Sequence, residues 1–172
     1  AVGLRHLPGT GSVLVLALLV LLSGVSVARE LGRDRTQVGM AAQAILEDGA
    51  TTDVVVLCPD QLAPAGHRLL AEHFTTLSHP TLDDGRRVDW ADYARRNASV
   101  DVVLVADRIV QRAGHGATVW LVWMDGYETM GGQCGDLREA LAERLGRPTK
   151  VVRADGDAFD DAANLSRFPG HP

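Results

Sequence analysis

Two runs of apolar residues, DVVVLC at 53–58 and TVWLVWM at 118–124, constrain this chain more than any other feature. Each is too short for an independent helix, and the first is stopped by Pro59. Both lack the polar alternation of a half-exposed strand. They read as strands buried on both faces, the pattern of a parallel sheet. Such a sheet needs helices on either side, and the spacing supplies them. Val38, Ala41, Ala42, Ile45 and Leu46 form one stripe over 37–48, with Thr36 as cap and Gly49 as stop. A helix is predicted over 62–74, with Pro64 in its first turn and Leu69, Leu70 and Phe74 facing inward. Further helices are expected over 89–96, capped by Asp89 with Trp90 and Tyr93 as apolar contacts, and over 136–145, ended by Gly146. The stretch 100–113 has strand propensity, yet Val102, Val105, Ala106, Ile109, Val110 and Ala113 follow the helical period, so it reads as helix. Shorter strands are expected at 75–79 and 149–153, a last short helix at 157–163, and then an irregular tail anchored by Phe168. The expected fold is a small three-layer α/β/α domain over 31–172, with about four mainly parallel strands in a flavodoxin- or Rossmann-like arrangement.

Ahead of that domain, SVLVLALLVLLSGVSVA at 12–28 carries no charge. Adding 9–11 brings it to about the 20 residues of a membrane helix, and it has no polar face to turn toward water. One reading is a secretory signal peptide, with Arg5 before the apolar stretch and Ser26-Val27-Ala28 as the cleavage site. The other is a transmembrane helix within a larger protein. The start at Ala rather than Met favours the second, so 1–30 is read as a transmembrane helix or signal anchor with its flanks. Arg29, Arg33 and Arg35 follow the segment and only Arg5 precedes it, which by itself would place the domain on the cytoplasmic side.

The cysteines point the other way. Cys58 ends the first strand and Cys134 lies in the loop after the third. If those strands are neighbours in a 2-1-3 order, both thiols stand at one edge of the sheet. A disulfide closing so long a loop contributes roughly 4 kcal/mol in the chain-entropy model and requires an oxidising compartment. The alternative is two independent buried thiols. Net charge is −5, and this mildly acidic balance argues against nucleic acid as the main partner, since phosphate binding depends on clustered basic residues.

Ligands of open parallel sheets bind beyond the carboxyl ends of the strands. That rule selects Asp60 and Gln61 after the first strand, Asp125 and Tyr127 after the third, and Asp155 after the fourth. Carboxylates on one rim can hold a divalent cation or serve as acid and base. The plainer alternative is that each turns the chain or caps the next helix. The loop GYETMGGQCG matches no phosphate-binding pattern, and GxSxG, HExxH and CxxC are all missing. The histidines are scattered, with His67 and His73 too far apart on their helix to share a metal, so no metal site is assigned to them. The selected ligand contacts are Asp60, Gln61, Asp125 and Tyr127.

In order along the chain, a hydrophobic helix is followed by LGRDRTQ, DVVVLCPDQLAPA, RVDWADYARRNA, TVWLVWMDGYETMGGQC and ANLSRFP. This series resembles the C-terminal region of actinobacterial multi-pass membrane glycosyltransferases of the GT-C type, relatives of the polyprenyl-phosphate-sugar-dependent mannosyltransferases. The likeness covers nearly the whole chain. It implies a final membrane helix and an extracytoplasmic domain at the cell membrane, in contact with membrane lipid. The upstream membrane-embedded part of the same protein would hold the donor site and the catalytic carboxylate, leaving no catalytic residue or resident cofactor here. The domain would brace that part or contact a glycan or lipid-linked acceptor. Two readings from other classes stand beside it: a secreted or membrane-anchored α/β binding module without catalysis, and a small metal-dependent hydrolase using the rim aspartates.

Overall fold

The computed structural model describes residues 9–31 and 36–170. The chain divides into two compact units, Ala1–Asp34 and Arg35–Pro172. In the first, helix α1 (Gly9–Leu31) carries the apolar run, with Val13, Leu14, Val20 and Leu21 each at least 64% exposed. Among the described residues no helix is long and apolar enough to cross a membrane. The structure therefore supports an exposed apolar helix where the sequence reading expected a membrane-crossing one.

The second unit is a single five-stranded sheet. Its strands are β1 (Val54–Cys58), β2 (Thr75–Ser78), β3 (Val119–Trp123), β4 (Thr149–Val152) and β5 (Asn164–Phe168), in the order β2-β1-β3-β5-β4. β1 pairs in parallel with both β2 and β3, giving the expected 2-1-3 arrangement. All five residues of β1 are buried, because alternate side chains enter two separate cores. Val54 and Val56 pack with Val105, Ile109, Leu137 and Leu141, from α5 (Val102–Ala113) and α6 (Gln133–Leu145). Val55 and Leu57 pack with Val38, Ile45 and Leu70, from α2 (Val38–Asp48) and α3 (Ala63–Leu70). Helices thus cover both faces. α3 lies so close to β1 that a Cβ at Gly66 would stand 2.3 Å from Leu57 Cδ2.

Three expectations are corrected. The sheet has five strands rather than about four, and the residues expected to form an irregular tail make β5, antiparallel between β3 and β4. Trp123 Nε1 donates to Ser166 Oγ at 3.0 Å, and the Arg167 guanidinium lies 5.1 Å from the Trp120 ring centre, so the polar residues of NLSRF find partners inside the sheet. No helix forms at 157–163, where Asp155 Oδ1 instead accepts from Asp157 N and Ala158 N to make a turn. The helix expected from Asp89 begins later, as α4 (Tyr93–Ala98), because Asp89 Oδ1 takes Ala91 N in a local turn and Asp92 is left-handed at φ 52°. The ambiguous stretch at 100–113 is helical, as read: Asp101 caps α5 by accepting from Leu104 N at 3.0 Å.

Buried polar groups tie the sheet at both edges, Asp53 at the amino ends of β1 and β3 and Gln37 beyond the carboxyl end of β4. Asp53, 4% exposed, accepts from Ala50 N, Thr118 N and Trp120 Nε1, each at 3.0 Å. Gln37, 2% exposed, donates to Arg153 O at 2.6 Å and accepts from Asp155 N and Ala163 N. These bonds hold the start of α2 to the segments that flank β4 and β5.

Candidate functional site

The carboxyl ends of β1, β2 and β3 stand side by side. His79 N donates to Leu57 O at 2.9 Å and Met124 N donates to Cys58 O at 3.0 Å. A disulfide joins Cys58 to Cys134, with 5.6 Å between their Cα atoms, and so pins the start of α6 to the end of β1. Both sulfurs belong to buried residues. The bridge considered from the strand order is present.

On this frame a polar cluster is built from four chain segments. After Pro59, a single 3-10 turn (Asp60–Leu62) buries Asp60 to 7% exposure. The Tyr93 hydroxyl, arriving from α4, donates to Asp60 Oδ1 and accepts from Gln61 Nε2. Burial raises the Asp60 pKa above the usual carboxylate value, although the Tyr93 hydrogen bond and the Arg96 charge work against it. Tyr93 is shifted well above the ordinary phenol range, first by burial and then by its bond to the Asp60 carboxylate. The phenol is therefore a firm donor at any physiological pH.

Behind this pair stands His79, with no exposure and no hydrogen-bond partner at either ring nitrogen. Burial lowers its pKa to about 4, with the neighbouring Gln133 side chain offsetting a little of the shift. Gln133 approaches His79 without forming a bond of good geometry; its Nε2 donates to Asn97 O at 2.9 Å and its Oε1 has no partner. Asn97, 1% exposed, approaches the Tyr93 hydroxyl and offsets a little of its shift without a bond of good geometry, and Gln61 Oε1 and Arg96 Nε are also buried without partners. Over the cluster lie aromatic rings. Trp90, 59% exposed, packs 5.1 Å from Tyr93, and Tyr127 meets Tyr93 edge-on at 6.4 Å.

Of the four residues selected from sequence, the structure brings three together: Asp60 and Gln61 through Tyr93, and Tyr127 through its ring contact. Asp125 does something else. Its Oδ1 accepts from Gly135 N at 2.9 Å, so it holds the first turn of α6, and this is why α6 starts at Gln133 rather than 136. Asp155 closes its own turn. Among the described residues no group of three or more His, Cys, Asp or Glu is placed to hold a metal ion, which leaves the expected divalent cation without a ligand set there.

Sequence reasoning missed His79, Tyr93, Asn97 and Gln133. The rim rule itself covers His79, since β2 ends at Ser78. Tyr93 carried a weaker signal, having been assigned only an apolar contact on a short helix. The cluster gathers a carboxylate, a phenol, an imidazole and three amide side chains beside an aromatic surface. Comparison with known protein families, with curated proteins and with solved structures yields no match.

Proposed function

We propose that this chain is the C-terminal, extracytoplasmic part of a membrane glycosyltransferase that moves a sugar from a polyprenyl-phosphate donor to a cell-envelope acceptor. In this reading it is an accessory part, contacting the acceptor while an upstream membrane-embedded part performs the transfer. The observation that carries the reading is the cluster at the carboxyl rim: a carboxylate, a phenol and three amide side chains under an exposed indole. Carboxylate and amide groups beside an aromatic face suit hydroxyl-rich ligands, because they bond the hydroxyls while the ring covers the C–H surface.

Two further observations agree. The Cys58–Cys134 disulfide fits an oxidising compartment, hence an outer location. α1 exposes large apolar side chains along 13–28, and each costs about 1.5–3 kcal/mol to leave in water rather than bury. The uncharged backbone run continues back to Gly9, so a lipid environment suits this helix as a membrane anchor. An anchored binding module without catalysis shares both features and differs only in what the cluster serves. The metal-dependent hydrolase finds no support in the rim aspartates, each of which is engaged with its own partners.

The test is made in cells expressing the native gene. A double substitution, Asp60→Asn with Trp90→Ala, should reduce glycosylation of the envelope acceptor at least tenfold without changing protein level or membrane fraction. Unchanged glycosylation with the variant present in the membrane refutes the transferase reading and leaves the binding module.

A further inference from the structure

We propose that a cavity beside the amino ends of β3 and β4 binds a phosphate group, held by the Arg147 and Arg167 guanidinium groups and the Thr118 and Thr149 hydroxyls. It lies at the other end of the strands from the rim cluster and is independent of the function proposed above.

The cavity measures about 600 Å³ and is lined by those four residues together with Asp48 and Val151. Strand register assembles it. Arg167 stands opposite Trp120 on β3 and opposite Thr149 on β4, so the three side chains share one face of the sheet. The Arg167 guanidinium lies over the Trp120 ring, 5.1 Å from its centre. That contact restricts the long side chain yet engages no acceptor, which leaves its N–H donors available. Thr118 directly precedes β3, and Arg147 follows the Gly146 that ends α6.

Charge points to the ligand. Arg86, Arg95, Arg96, Arg138 and Arg144 each pair with a carboxylate. Among the described residues, the Arg147 and Arg167 guanidinium groups have no ion-pair or hydrogen-bond partner, and neither threonine hydroxyl makes a hydrogen bond. Two cations lining one cavity repel each other, and an anion between them removes that cost. The nearby carboxylates do not fill this role. Asp53 is taken up by Ala50 N, Thr118 N and Trp120 Nε1, and Asp48 lines the cavity without pairing with either arginine. Two cations against the Asp48 carboxylate still leave the cavity positive. A phosphate has enough oxygens to accept from two guanidinium forks and a hydroxyl together, whereas a carboxylate has only two. The cavity also leaves room for the molecule that carries the phosphate.

Isothermal titration calorimetry on the full chain, in a neutral phosphate-free detergent at constant ionic strength, tests this. The probes are inorganic phosphate, glycerol 3-phosphate, and phosphatidylglycerol mixed into the micelles, with acetate as the carboxylate control. At least one phosphate probe should bind saturably and more tightly than acetate. Binding of either soluble probe identifies a free phosphate or its ester as the source, and binding of phosphatidylglycerol alone identifies a lipid headgroup; both support the site. Arg147→Gln combined with Arg167→Gln should weaken binding at least about tenfold. Asp48→Asn, which removes the opposing charge at an exposed position, should tighten it about threefold and serves if the double variant fails to fold. Arg153→Gln, at an exposed arginine that lines a different cavity, should change little. The proposal is overturned if no phosphate probe binds saturably, or if acetate binds as tightly. It is overturned equally if Asp48→Asn has no effect, or if Arg153→Gln costs as much as the double variant.

Discussion

Acid should destabilise the folded domain through His79. Its imidazole is fully buried, and its pKa lies near 4 in the folded chain against 6.5 in the unfolded one. Between those values the unfolded chain binds a proton that the folded chain refuses, so stability falls as pH falls. The contribution is fully present above pH 6.5, is lost progressively toward pH 4, and levels off below that, where both states are protonated. At about 1.4 kcal/mol per unit of pKa difference, the whole loss is about 3 kcal/mol. Asp60 acts in the opposite sense, because its raised pKa lets the folded chain take a proton more readily as pH falls. The comparison must therefore be made against a variant that removes only the imidazole. Guanidinium unfolding of the chain in mild detergent, followed by the fluorescence of buried Trp120, gives stability at each pH. His79→Leu should be as stable as the parent at pH 7, since it also removes two unpartnered nitrogens. It should then lose about 3 kcal/mol less between pH 6.5 and 4. Parallel curves for parent and variant would refute the reasoning.

Reduction of the Cys58–Cys134 bridge, which spans 76 residues of sequence, should lower stability by about 4 kcal/mol; peptide mapping without reductant should recover the two peptides linked, and free thiols at both positions would contradict the structure. Asp53→Ala strands two backbone amides and the Trp120 indole N–H and should cost about 3 kcal/mol in urea unfolding, a loss under about 0.5 kcal/mol being incompatible with those bonds. Gln37→Ala should speed hydrogen exchange at the Asp155 and Ala163 amides, which donate to its side chain, at least tenfold, while amides in β1 stay protected.

The central strands were legible because DVVVLC and TVWLVWM can be buried in only one way, between two layers of helices. β5 was not, since its register buries Ser166 and lays the exposed Arg167 over Trp120, and nothing local announces that Trp123 and Trp120 will receive them. α5 was recovered against its strand propensity because its period outlasted the short apolar run and Asp101 could cap it. At the site, the rim rule reached Asp60, Gln61 and Tyr127 since each follows a strand directly. It also chose Asp125, where the ordinary use of an aspartate in starting a helix prevailed. Tyr93, Asn97 and Gln133 belong to helices whose approach to the rim is decided by the tertiary structure, in part by the disulfide, so no spacing along the chain could connect them.

The placement of β5 has a consequence for how the protein is made. β1, β2 and β3 can assemble once residue 123 has been synthesised, but β4 touches the sheet only through β5. Until residues 164–168 emerge, the nascent chain displays an open edge on β3 and an unattached strand beyond it, both free to pair with the wrong neighbour. Any chain cut before Asn164 is held permanently at that vulnerable stage.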